Sequence, residues 1–365
     1  NNGKGSFNYS NSSLPDNFSS GMRVTSSDYD KDGDVDLFVG GRVVPGSYPL
    51  PAESFLLENI SDGNGIKFRN ANESIFSFKE IGLVTSSVWT DYNNDGWTDL
   101  IVVGEWTPVK FYKNNEGRFK EDNSLIDEDS TRGWWYDIVA EDFDKDGDID
   151  LVIGNLGNNY KYQTSGDETF DIFYNDFDKN NSGDIVLSYF NDGEQYPLRG
   201  RQCSSDQIPA IKTKFKDYDA FSIATLEDVY GESDLDNSLH YFTKTFSSVY
   251  LENTGNSFKM NSLPTLTQLS SINKILKKDI DKDGYMDIVV SGNMFNSEVE
   301  TPRNDGSVGV YLKYTPDSGF EAVSTQKSGL FINGDVKDME FITLNNADYI
   351  ISAKNDDLIE FTKIK

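Results

Sequence analysis

Short aliphatic runs recur along the whole chain, at residues 35–39, 100–103, 149–153, 185–187 and 288–290. None is long enough to carry a helical period, and an apolar run of this length without alternation predicts a strand covered on both faces. Residues 23–26 and 87–90, which precede the first two runs, alternate polar and apolar and predict a partner strand. A third strand is predicted at 54–58, 109–113, 249–252 and 308–314, and an aromatic-bearing fourth at 67–69, 118–120 and 257–259. A single four-stranded sheet cannot bury both faces of its second strand, so repeated units of this kind predict sheets stacked around an axis, an all-β propeller. Six blades are expected, or seven if one more unit lies hidden.

Each aliphatic run is entered through an acidic nine-residue loop. The copies are 28–36, 91–99, 142–150, 176–184 and 279–287, and their first aspartates stand 63, 51, 34 and 103 residues apart. Position 1 is Asp28, Asp91, Asp142, Asp176 or Asp279; position 3 is Asp30, Asn93, Asp144, Asp178 or Asp281; position 5 is Asp32, Asp95, Asp146, Asn180 or Asp283. Position 9 is Asp36, Asp99, Asp150, Asp184 or Asp287, and position 6 is glycine except for Asn181. Ca²⁺ takes roughly six to eight hard oxygens at about 2.3 to 2.6 Å, so short acidic side chains must converge within one tight turn. The glycine lets the backbone turn where a side chain would clash, and leaves the carbonyl of position 7 (Asp34, Trp97, Asp148, Ser182 or Tyr285) to point inward. About five Ca²⁺ are therefore expected. An EF-hand would need an acidic residue at position 12, where this chain has Val39, Val102, Ile153, Leu187 and Val290.

Composition narrows the function. The formal charge is −28, with 61 acidic against 33 basic residues, which disfavours nucleic acid and anionic membrane surfaces as partners. Cys203 and His240 are the sole members of their kinds, which removes an intrachain disulfide and most zinc and histidine-dependent chemistry. No apolar stretch is long enough to span a membrane. Loops of this kind fill at millimolar calcium, which points to an extracellular, periplasmic or cell-surface setting.

The repeated loop and the strand behind it resemble the FG-GAP or VCBS repeats of integrin α-subunit propellers and cartilage-acidic-protein-like secreted proteins. Recognisable copies cover residues 20–325; Asn181, a last unit without a loop and a long insertion depart from the pattern. The resemblance implies a calcium-bearing propeller and leaves its ligand open. The last unit is expected at 337–365, with strands at 339–343, 349–352 and 358–363, and residues 5–10 are expected to supply its outer strand and close the ring. Residues 1–365 then form one domain. Residues 199–246 are expected to be a helical insertion in the fourth unit, with Ser205 or Asp206 capping a helix through Ile208, Ile211, Phe215, Tyr218 and Phe221, and a second helix at 223–229.

The turns that follow the second strands should converge at one mouth of the channel, which makes Arg42, Glu105, Trp106, Asn155 and Asn293 candidate ligand contacts, with Trp106 stacking on a sugar ring. The alternative is that these residues satisfy turn backbones and fill space between blades. No nucleophile, base or phosphate loop stands out, so the leading expectation is a non-enzymatic surface propeller that binds protein or glycan. A carbohydrate-active hydrolase or lyase using Glu105, Tyr160, Lys161 or Arg42, and an architectural module of a larger surface protein, are the rivals.

Overall fold

The computed structural model describes residues 4–7, 9–10, 12–16, 19–62, 65–297 and 301–364. The first sheet is the meander β1 Gly21–Ser27, β2 Asp36–Gly41, β3 Phe55–Asn59 and β4 Phe68–Asn70. The second repeats it as β5 Leu83–Thr90, β6 Asp99–Thr107, β7 Lys110–Asn115 and β8 Arg118–Glu121, with β9 Gly133–Trp134 added to β6. A third begins with β10 Asp137–Glu141 and β11 Asp150–Gly154, but the chain then leaves it. It builds a separate sheet, β12 Phe170–Asn175, β13 Asp184–Asn191, β14 Glu194–Pro197 and β15 Leu239–Thr243, in the order β14-β13-β12-β15. Only afterwards do β16 Val249–Asn253 and β17 Phe258–Ser262 complete the third sheet. The next sheets are β18 Ile272–Lys278, β19 Asp287–Gly292, β20 Val310–Thr315 and β21 Gly319–Val323, then the three-stranded β22 Val336–Leu344, β23 Ala347–Lys354 and β24 Glu360–Lys363.

The stacking explains the aliphatic runs. In β6, Leu100 and Val102 lie in the core shared with the first sheet, while Ile101 and Val103 lie in the core shared with the third. In β11, Leu151 and Ile153 face the second sheet and Val152 the sheet of β18–β21; in β19, Ile288 and Val290 face the third and Val289 the last. A second strand covered on both sides has no polar face to alternate with. At the axis, one buried carboxylate joins four inner strands. Asp137 on β10 accepts from Arg23 Nη2 of β1 at 2.9 Å, Ser86 Oγ of β5 at 2.8 Å and the amide of Ile275 on β18 at 3.0 Å.

The all-β, propeller-like expectation holds and the count of six sheets is met, but the fourth unit is not a blade of the series. The third sheet packs directly on the sheet of the fifth loop, because 249–252 and 257–259 belong to β16 and β17, of which β16 pairs with β11 and β17 with β16, not with the fourth unit's strands. The expected closure also differs. Among the described residues no strand from the N-terminal segment joins β22–β24; Ser13 instead accepts from the Phe68 amide at the edge of the first sheet. Among the described residues no core cluster spans the first and last sheets, and Met22, Val24 and Phe361 on their outward faces are at least half exposed.

The helical insertion is present but is cut differently. It comprises α1 Arg201–Gln207, α2 Ala210–Lys214, α3 Tyr218–Ser222, α4 Leu226–Tyr230 and α5 Glu232–Asp236. Ser205 and Asp206 lie inside α1 and cap nothing, because Pro209 forces a break before α2. Asp217 caps α3, and Thr225 with Asp228 forms a capping box on α4. The insertion also contains β15, which the helical period of its flank concealed. A further short helix, α6 Thr325–Ser328, precedes the last sheet.

Sheets are tied to each other at one repeated place. Asn114, at the end of β7, donates to the carbonyl of Tyr29 in the preceding sheet's loop at 2.7 Å and to that of Thr98 at 2.9 Å. Asn253 does the same one sheet on, to Tyr92 and Ile149. Asn59 reaches only Val35 of its own sheet. Replacing fully buried Asn114 by alanine orphans two carbonyls, and urea unfolding should show a loss of about 2 to 3 kcal/mol, with a smaller loss for Asn59→Ala.

Candidate metal centre

The five acidic loops share one backbone conformation. Position 4 is left-handed in every copy, at φ 63°, 56°, 64°, 60° and 64° for Lys31, Asn94, Lys145, Lys179 and Lys282. Position 6 has φ 98°, 87°, 99° and 94° at Gly33, Gly96, Gly147 and Gly284, and Asn181 reaches 66°. The glycine requirement is conformational rather than spatial: a Cβ on Gly33, Gly96 or Gly147 would meet nothing within 4 Å. This corrects the expectation of a clash at that position. Asparagine is tolerated because it enters the left-handed region more readily than most residues.

The side chains form the same wheel each time. One oxygen of the position 1 aspartate accepts the position 6 amide, at 3.2, 2.7, 3.1, 2.8 and 3.0 Å in chain order. The position 5 side chain accepts the amide of position 7, at 3.1, 3.0, 2.9, 2.7 and 3.0 Å. Asp36, Asp99, Asp150 and Asp287, all at most 1% exposed, close the loop onto the third strand. Their Oδ1 atoms accept the amides of Asn59, Asn114, Asn253 and Tyr314 at 2.8, 2.7, 2.8 and 3.2 Å. Burial, and then neighbouring loop carboxylates, push Asp36 and Asp99 up to about 7. Burial likewise pushes Asp150 up to about 6 and raises Asp184 and Asp287.

The donor set fits Ca²⁺. Carboxylate oxygens converge within 4.8 Å of one another in Asp28/Asp30/Asp32, Asp142/Asp144/Asp146, Asp176/Asp178/Asp184 and Asp279/Asp281/Asp287. In the first, third and fifth loops the second oxygen of the leading aspartate (Asp28, Asp142 or Asp279) is buried without a hydrogen-bond partner. A buried anionic oxygen without a donor is a ligand suited to a hard cation. The second and fourth loops differ. There both oxygens of Asp91 and Asp176 accept backbone amides, from Asp95 with Gly96 and from Asn180 with Asn181. Asn93 in the second loop donates to Asp99 at 2.9 Å, as an amide can and a carboxylate cannot.

Neighbouring loops also touch. Lys31 lies 4.0 Å over the Trp97 ring, Asn94 donates to Asp148 at 2.9 Å, and Lys145 lies 4.4 Å over the Tyr285 ring. Position 4 of one loop thus meets position 7 of the next, and the third loop meets the fifth because the fourth lies in the inserted sheet. The repeated offset between loops carries this signal, but only the stacking order says which pairs meet.

The candidate ligand contacts at the mouth are placed inside the protein. Glu105 is held by an ion pair with Arg42 and by the Tyr48 hydroxyl at 2.6 Å. Trp106 is 1% exposed, at φ 58°, donating to Tyr48 and stacked on Phe170 of the inserted sheet. Asn155 is fully buried; it accepts from the amides of Trp134 and Leu156 and donates to the carbonyls of Thr245 and Ser247, joining the two ends of the insertion. Asn293, 1% exposed, bonds Ser307 and Gly334. Arg42, Glu105 and Trp106 are therefore neighbours, while Asn155 and Asn293 each organise their own sheet. Phe170, Trp134, Tyr162 and Phe246 fill the space where a ligand was expected.

Residues 91–153, spanning the second and third loops, match the FG-GAP-like repeat family. No curated protein matches the chain. Among solved structures, the V. cholerae biofilm matrix protein Bap1 aligns over 93% of this chain and 66% of its own, at 10% identity and a TM-score of 0.31. BBS1N from its complex with ARL6DN aligns over 95% and 93%, at 10% identity and a TM-score of 0.26.

The raised position 9 carboxyls fix the pH dependence of the metal-free protein. A folded-state value near 6 to 7, against about 3.9 unfolded, means that folding favours the protonated form. This stabilisation is fully present below about pH 4 and is lost as pH rises through 6 to 7. Thermal melts of metal-free protein should fall between pH 5 and pH 8, and saturating calcium should abolish that fall.

Proposed function

We propose that this chain is a calcium-stabilised binding propeller that works outside the cytosol or at a cell surface, recognising a protein or glycan without catalysing a reaction. The observation that carries the reading is the partnerless, buried oxygen on Asp28, Asp142 and Asp279, each at the head of a converging carboxylate set. A cation there neutralises loops that otherwise hold like charges together, and so fixes the strand crossings it sits beside. Among the described residues no helix is long and apolar enough to cross a membrane.

A ligand surface lies beside the covered mouth. A cavity of about 360 Å³ is lined by Asn158, Asn159, Tyr160, Arg303 and others, and a second of about 360 Å³, with Tyr189 and Leu198, shares Lys161 and Gln163 with it. Amides and tyrosine rings suit the hydroxyls and faces of a sugar, or a polar peptide. Against the hydrolase or lyase reading stands Glu105, whose carboxylate is occupied by Arg42 and Tyr48. The architectural reading draws support from the exposed outward faces of the first and last sheets.

Two measurements test the proposal. Chelation should lower the melting temperature by several degrees, since each site at a hundredfold excess over Kd contributes about 2.7 kcal/mol. A glycan array and a pull-down with calcium-loaded protein should yield a calcium-dependent partner. Turnover of a polysaccharide that Glu105→Gln abolishes in a folded protein would replace binding with catalysis.

A further inference from the structure

We propose that Lys113 and Lys313 are built-in counter-cations that weaken calcium binding at the second and fifth loops, so that the loops of the stacked sheets fill in two stages. The inference rests on the calcium reading above and adds an order of filling to it.

One residue before the third-strand amide that binds the position 9 aspartate, the four loop-bearing stacked sheets carry Glu58, Lys113, Glu252 and Lys313. The register is the same and the charge alternates. Lys113 Nζ stands 3.1 Å from Asp95, a position 5 ligand of the second loop. Lys313 Nζ stands 2.9 Å from Asp283 and also bonds Asp281, so it spans positions 3 and 5 of the fifth loop. The fifth loop nevertheless keeps the inward, partnerless oxygen of Asp279. Its wheel is thus built for a cation while two of its carboxylates are already engaged by an ammonium.

In the first loop the equivalent position adds negative charge. There Glu58 is held by both of its oxygens on Arg69 at 2.6 Å. Glu252 stands at that register in the third sheet, 3.1 Å from Lys259. Calcium affinity in such loops follows the charge of the ligand set. A fixed positive charge a few ångströms from a divalent cation opposes it directly, and moving the lysine aside sacrifices two charge-assisted bonds in the fifth loop.

Calorimetric titration of the metal-free chain with Ca²⁺ reads this out. Wild type should show tight and weak classes of site. Lys313→Ala should move one site from weak to tight, with Kd falling about tenfold or more, and Lys113→Ala should do so for the second loop. Terbium luminescence sensitised by Trp97, which lies inside the second loop, should follow Lys113→Ala and not Lys313→Ala. Glu58→Lys should move one site the other way. Lys313→Gln, which removes the charge and keeps most of the side-chain length, serves if the alanine variant does not fold. Folded lysine variants with every Kd within about twofold of wild type would overturn the inference. A wild-type chain that binds no calcium at all would instead overturn the calcium reading beneath it.

Discussion

A carboxylate buried at the ninth position of each loop accepts one amide from its own loop and, in the stacked sheets, a second from the third strand. That pair of bonds fastens the turn to the sheet. The asparagine supplying the second amide uses its side chain, at Asn114 and Asn253, to grip the loop of the preceding sheet. Loop, sheet and neighbouring sheet are therefore one mechanical unit. Its weakness is electrostatic: a buried anion beside three or four others is costly unless a cation joins them. Metal binding and the stacking of sheets are in this sense the same problem.

The sheet of β18–β21 has no comparable asparagine, and Tyr314 supplies the amide instead. Its ring stacks on Phe143 of the preceding loop, so an aromatic contact replaces the hydrogen-bonded clamp. The belt of position 4 to position 7 contacts links the loops along one face by cation-π contacts at its ends and a hydrogen bond in the middle. Similar sequence repeats thus perform one job by several kinds of contact, and they differ most in how much positive charge stands near each cage.

The inserted unit changes what the opposite face can do. It departs after β11 and returns before β16, and Asn155 holds both ends of the excursion together. Its Phe170 reaches Trp106 and Trp134, which seals the turns that a bare ring of sheets would leave around an open mouth. Helices α4 and α5 then cover one side of that sheet, with Leu226 and Leu235 packed on Phe173 and Val186.

Strand identity, loop position and the convergence of acidic side chains were legible in the chain because they are local: aliphatic runs, Asp/Asn spacing and left-handed turn residues act within about ten residues of each other. The tetrapeptide Tyr250-Leu251-Glu252-Asn253 even matches Phe111-Tyr112-Lys113-Asn114 closely enough to mark it as the third strand of a stacked sheet. What it could not reveal is which sheet. Pairing β16 with β11 across the 94 residues 155–248 is a long-range choice, made by the burial of Leu251 and Val249 against the second sheet. The same holds for Arg42, Glu105 and Trp106. Their placement at a mouth followed from the repeat, but their burial was decided by a sheet inserted from elsewhere in the chain, whose docking face of Phe170, Tyr162 and Phe246 has no periodicity to announce it.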